Sequence, residues 1–187
     1  MKMKSAISAL LMLFATFAGG CGGPIQKVKN GVLKADTSVM LGMALDKYKY
    51  FKETKWETIK TEQGKIVVQF TGIMNLDAYC GTTWLGETIS TEMVQKASSM
   101  FANEFQMSYA CQFVLSKSDG SFDIAYSEIG ITENKLFNGK PFPAQMVPYG
   151  DKGQSMITEV IYKNGPFSEV QMMIFSLSKS AEERKSK

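Results

Sequence analysis

Residues 105–115 read FQMSYACQFVL, and this stretch decides the fold. Phe105, Met107, Tyr109, Cys111, Phe113 and Leu115 fall on one face of an extended chain, with Gln106, Ser108, Gln112 and Ser116 on the other, because successive side chains of a strand point to opposite sides. Lys117-Ser118-Asp119-Gly120 supplies turn residues, and Phe122, Ile124 and Tyr126 resume the alternation. The segment therefore reads as a β-hairpin with one face in a core. Upstream, Trp56-Glu57-Thr58-Ile59-Lys60-Thr61 and Ile66-Val67-Val68-Gln69-Phe70 are rich in aromatic and β-branched residues, and Glu62-Gln63-Gly64-Lys65 separates them. They form a second hairpin whose Ile66, Val68 and Phe70 share a face that is expected to cover a helix.

Helical spacing flanks the hairpins. Met40, Ala44, Tyr48 and Phe51, with Leu41 and Leu45 beside them, predict a first helix capped by Asp36 or Thr37. Gly42 costs that helix about 1 kcal/mol relative to alanine, which points to close packing of another backbone. Ser90 caps a second helix, with Glu92 in its first turn and Met93, Ala97, Met100 and Phe101 as its apolar stripe. Residues 75–88 read as loop, as does the longer stretch from Asn138 to Gly153 with Pro141, Pro143 and Pro148. Met156 to Lys163 fits either a strand or a helix. Pro166 decides for a helix with Met156, Ile157, Val160 and Ile161 inward, since proline lacks the amide hydrogen that a tight turn would need from it. Phe167 to Leu177 then reads as a last strand and Lys179 to Lys187 as a charged tail. The fold class expected is α+β: an antiparallel sheet of about five strands in hairpins with about three packed helices. Residues 37–178 make the single domain.

Before that domain lie two different segments. Lys2 and Lys4 form a basic start, Ile7 through Phe17 an uncharged apolar run, and the run is shorter than the about 20 residues that span a bilayer. Residues 1–20 are therefore read as a signal peptide. Phe17-Ala18-Gly19-Gly20-Cys21 resembles the bacterial lipobox, with Ala18 where that motif more often has leucine. The resemblance implies cleavage between Gly20 and Cys21, a thioether-linked diacylglycerol on Cys21 and usually a third acyl chain on its freed amine. Each buried methylene contributes about 0.8 kcal/mol, so such an anchor holds. Gly22 stands where an aspartate would retain an enteric lipoprotein at the inner membrane. The address implied is the cell envelope, lipid-anchored to the outer membrane and facing the periplasm. Gly22, Gly23, Pro24 and the lysines of residues 21–36 read as a flexible tether.

A second resemblance rests on Val28-Lys29-Asn30-Gly31 with Leu33, Gly42, Ala44-Leu45-Asp46, Tyr48, Trp56-Glu57, Gly64 and Phe70. These residues are similar to those of small uncharacterised lipoproteins of Gram-negative envelopes, a group that brings no activity with it.

The mature chain of 167 residues has 19 basic and 18 acidic side chains, a net +1. Nucleic acid is not an implied partner. The surplus sits at the ends, in Lys27, Lys29 and Lys34 against Asp36 and in Lys179, Arg184, Lys185 and Lys187 against Glu182 and Glu183. These read as solvated tails, with contact to an anionic surface as the alternative. Export into an oxidising compartment leads to the expectation that Cys80 and Cys111 pair. The bridge would close an about thirty-residue loop and stabilise the fold by roughly 3 to 4 kcal/mol.

No histidine occurs, so a serine triad or a cysteine protease lacks the imidazole that takes the nucleophile's proton. Glu87, Glu92, Asp119, Asp123 and Glu128 sit in turns, helix starts or solvent faces and read as surface charge. No C-x-x-C or phosphate-cradling glycine loop occurs. The methionines lie in apolar stripes, where they act as flexible core fillers, and neither cofactor nor metal is implied. Phe137, Phe142, Met146 and Tyr149, interleaved with prolines, form the candidate binding loop. Aromatic anchors on a stiffened backbone suit contact with a partner, the alternative being that they close the open end of the core. The function expected is a membrane-anchored binding or structural module without catalysis, attached through its lipid and contacting an envelope protein or cell-wall polymer. A periplasmic carrier of a lipid or other apolar ligand is the alternative.

Overall fold

The computed structural model describes residues 23–101, 105–116, 121–133, 146–148 and 153–185. Both expected hairpins form. Phe51–Lys60 (β1) pairs antiparallel with Ile66–Met74 (β2), and a small separate ribbon joins Thr83–Trp84 (β3) to Glu87–Thr88 (β4). Phe105–Leu115 (β5) pairs with Phe122–Glu133 (β6), and Met146–Pro148 (β7) adds to β6. Among the described residues the main sheet is five-stranded and antiparallel, in the order β1-β2-β5-β6-β7. The fold is α+β.

Register explains which face is inside. Phe70, Cys111 and Ser127 lie opposite one another across β2, β5 and β6, as do Val68, Phe113 and Ile124. Val68, Phe70, Tyr109, Cys111 and Phe113 are wholly buried. Gln69 and Gln112 bond to each other at 3.0 Å on the opposite side. Tyr126 departs from the expected alternation with Phe122 and Ile124. Gln112 faces Tyr126 whereas Phe113 faces Ile124, so Ala125 is an extra residue that turns Tyr126 to the outer face, where its hydroxyl donates to Glu128.

The helices are Pro24–Asn30 (α1), Leu41–Asp46 (α2), Thr91–Phe101 (α3), Gly153–Met156 (α4), which runs into a π turn over Ile157–Ile161, and Ser168–Lys185 (α5). α3 is capped as expected, the Met93 amide donating to Ser90 Oγ at 3.2 Å. Helix, not strand, follows residue 153, with Ile157 and Ile161 buried. Its last turn widens, since the amides of Tyr162 and Gly165 bond five residues back, to Ile157 and Val160.

Several expectations are corrected. The tether is folded from Pro24: Val28 is wholly buried and Leu33 nearly so. Proline at N1 starts α1, but seven residues are too few to be helical alone, so packing holds it. A Cβ on Gly42 would lie 2.6 Å from Lys29 Cβ and 2.9 Å from Lys29 Cα, which identifies the backbone that the glycine admits. The first helix spans only Leu41–Asp46, with Leu41 and Leu45 inward, Met40 exposed and Phe51 already in β1. The expected strand from Phe167 to Leu177 is helix α5, and the expected tail after Lys179 continues that helix to Lys185. Residues 75–88 hold a 3₁₀ turn, Leu76–Tyr79, and the β3–β4 ribbon. The loop from Asn138 contributes β7, the rest of it up to Gly153 lying outside the described residues.

An aromatic cluster joins the layers. Tyr48 lies 4.8 Å from Phe51 and 5.6 Å from Phe167, ring centre to ring centre, and Tyr109 lies 5.5 Å from Phe167. Such edge and offset contacts add about 0.5–1.5 kcal/mol each beyond burial. They tie α5 to the sheet and explain why Phe167 is inward.

Candidate functional site

α1, α2 and the chain between them form a corner at one side of the sheet. Lys29 reaches Asp46 at 2.5 Å and lies 5.3 Å above the Trp56 ring, while Trp56 Nε1 donates to Asp46 at 2.7 Å. One carboxylate thus links α1, α2 and β1. After Gly31 the chain turns back: Leu33 and Asp36 form an isolated bridge, and the Leu41 amide donates to the Gly31 carbonyl at 2.9 Å. Asp36 accepts from the backbone and hydroxyl of Ser38, which hold its carboxyl below the usual range. Tyr162, at the end of the π turn, donates to the Val39 carbonyl at 3.3 Å. Burial pushes its phenol up to about 12.

Between this corner and β6 opens a cleft of about 370 Å³, bordered by Lys27, Val32, Lys34, Phe122, Asp123 and Gln154. Its floor depends on Gly31, where any Cβ would overlap the Phe122 ring. Lys34 and Asp123 stand 3.8 Å apart across the rim with both side chains more than four-fifths exposed, an arrangement worth little in stability that leaves the pair open to exchange partners. Val32 at the cleft, and Met40 and Met43 at α2, are 40%, 44% and 48% exposed.

Gly20, Cys21, Phe137, Phe142 and Tyr149 lie outside the described residues, and Met146 begins β7. The structure has no bond between Cys80 and Cys111, the pair expected to form a disulfide. Cys111 points into the core from the middle of β5, where burial pushes its thiol up to about 12. Cys80 is exposed after the 3₁₀ turn, 3.1 Å from Thr91 Oγ1 at the start of α3. Of the carboxylates considered for acid–base work, Asp123 borders the cleft, Glu92 pairs with Lys96 at 2.8 Å, Glu128 accepts from Tyr126, Glu87 is exposed and Asp119 is not described. Among the described residues no three Cys, Asp or Glu gather as metal ligands.

Compared with family models, curated proteins and solved structures, the chain matches none.

The corner is what sequence reasoning missed. Its signals were weak: Pro24 at a helix start, a single buried valine, and the lysines read as a solvated end. Gly42 alone pointed toward it. A second missed feature is the tip of the β3–β4 ribbon, where Leu85 has φ +48°, precedes Gly86 at φ +85° and is 86% exposed. The sequence Leu-Gly carries no polar turn signal of the Asn-Gly kind.

Proposed function

We propose that the chain is an envelope lipoprotein, cut before Cys21 and held on a membrane by acyl chains on that cysteine, whose domain works at the membrane surface as a binding or structural module. The observation that supports this reading is the position of α1. The helix begins at Pro24 and is built into the core through Val28. Three residues from Cys21 to Pro24 span at most about 11 Å, so an anchor at Cys21 would hold the folded domain directly on the lipid. Among the described residues no helix is long and apolar enough to cross a membrane. The outer membrane, facing the periplasm, is the address proposed, with an envelope protein or cell-wall polymer as partner.

The cleft favours one further reading, the carrier of an apolar ligand. Its volume falls within the range of about 300–1,000 Å³ common for ligand pockets, and Val32, Leu33, Phe122 and Ile124 give it apolar walls. It opens to solvent beside charged Lys27, Lys34 and Asp123, a character closer to a contact surface than to an enclosed lipid cavity.

Two measurements test these readings. Cys21→Ser is expected to abolish labelling by a fatty-acid analogue and to release the protein from the membrane fraction; unchanged labelling would sink the anchor. Solvent extraction of the purified lipoprotein followed by mass spectrometry tests the carrier, which requires a lipid bound in proportion to protein beyond the acyl chains on Cys21.

A further inference from the structure

We propose that the corner formed by α1 and α2 is the surface with which the domain lies on the phospholipid bilayer, with Val32, Met40 and Met43 entering the boundary between headgroups and acyl chains. The proposal rests on the acyl anchor at Cys21 and adds to it an orientation. α1 has seven residues and is about 10 Å long at 1.5 Å per residue. Its start lies within about 11 Å of the anchored residue. Val32 follows directly on the far end of the helix, and the bond from the Leu41 amide to the Gly31 carbonyl brings Met40 beside it. α1 is thus the described element that the shortest stretch of chain joins to the anchor, and the corner is built on it. An α1 lying along the surface sets all three exposed apolar side chains against it.

Side-chain character selects that pose. Met40, Met43 and Lys47 recur at the spacing of one helix face and are exposed, whereas Leu41 and Leu45 on the other face are wholly buried. Between Gly23 and Lys47 stand four lysines, Lys27, Lys29, Lys34 and Lys47, against Asp36 and Asp46. Lys29 and Asp46 engage each other and Lys34 stands 3.8 Å from Asp123, which leaves Lys27 and Lys47 against Asp36 as a net positive charge of the segment that carries the apolar patch. Apolar groups flanked by lysines are the footprint of an interfacial contact, the lysines being attracted to an anionic surface. Leu85 is more exposed than any of the three, but its ribbon is backed by α5, where Gln171 Nε2 donates to the Thr83 carbonyl at 3.0 Å. It provides the internal control.

The test uses the full lipidated chain with Cys80→Ser, which leaves buried Cys111 as the remaining thiol of the described fold. Met43→Cys or Leu85→Cys is added, labelled with a polarity-sensitive fluorophore and reconstituted into vesicles of phosphatidylethanolamine and phosphatidylglycerol with acyl-brominated lipid as quencher. At position 43 the expected results are a blue shift and quenching severalfold greater than at position 85. Protein that fails to float with the vesicles overturns the anchor and this orientation with it. Floating protein with equal quenching at the two positions overturns the orientation alone. A label at 43 that is shielded but unquenched shows that a second copy or another protein covers the face, and overturns the bilayer as occupant.

Discussion

Gly42→Ala separates a docked α1 from a tether by the sign of its effect. In an isolated α2 the substitution would stabilise the helix by about 0.5–1 kcal/mol, because glycine loses more backbone entropy than alanine. In this structure the new methyl would lie 2.6 Å from Lys29 Cβ and 2.9 Å from both Lys29 Cα and the Lys29 carbonyl oxygen. Two of those atoms are backbone, so relief requires moving α1 rather than turning a side chain, and overpacking of this kind costs about 1–3 kcal/mol. Taking the upper part of that range less the helix gain leaves a net loss of about 1–2 kcal/mol, or a fall in Tm of about 2–8 °C for a chain of this size. The assay is thermal and urea unfolding of the mature chain carrying Cys21→Ser. Val28→Ala serves as the companion variant: it removes about two methylenes from a wholly buried site, for a loss of about 2 kcal/mol with the cavity included. Both act through the docking of α1, so the double variant is expected to lose less than the two single losses added. A rise in Tm for Gly42→Ala, or strict additivity with Val28→Ala, would refute the docked helix.

In the native protein Cys80 is expected to react with a maleimide while Cys111 does not, and both titrate after denaturation without reductant; a denatured chain with no free thiol would restore the bridge. Burial raises the Cys111 thiol to about 12 from about 8.5 in an unfolded chain, so its contribution to stability is complete below the lower value and is lost as pH climbs toward the higher one, at about 1.4 kcal/mol per pH unit. The urea midpoint is therefore expected to fall from about pH 9 to about pH 11 more steeply in the wild type than in Cys111→Ala; equal slopes would place the titration elsewhere. Leu85→Asn supplies the residue that a two-residue turn with both φ values positive favours, and a gain of about 1 kcal/mol is expected from unfolding curves; a loss would mean that the leucine packs.

How much of this fold is legible in sequence depends on whether polarity follows the burial pattern. It does in β5, where Met107, Tyr109, Cys111 and Phe113 are buried. It does not in α5. Phe167, Val170, Ile174 and Leu177 have helical spacing and the first three are wholly buried, but Gln171 and Ser178 are buried with them and Met172 is half exposed. Gln171 is inward because it bonds to Thr83, and Ser178 because its hydroxyl bonds to the Phe175 carbonyl at 2.8 Å. With polar residues inside and an apolar one outside, the run from Phe167 to Leu177 loses its helical stripe, and its Val, Ile, Met and Phe content imitates a strand. Residues 156–163 are legible for a different reason: the missing amide of Pro166 is a covalent fact that no tertiary contact changes.

The corner was illegible because its contacts span long stretches of chain. Gly31 meets Phe122, Lys29 meets Trp56, and Val39 accepts from Tyr162, while no local rule distinguishes Gly-Pro followed by lysines in a tether from the same residues at a helix start. Docking changes what those lysines do. On a loose tether they would sample all directions and the domain would turn freely above its lipid. With Val28 buried and Lys29 paired to Asp46, the proposed anchor at Cys21 would be joined to the folded domain by a connection of three residues, at most about 11 Å, ending at Pro24, whose own φ is fixed by its ring. On the proposed anchoring, a short connection of that kind would turn a membrane address into a membrane orientation, because the bilayer would then meet whichever side chains the fold places around α1.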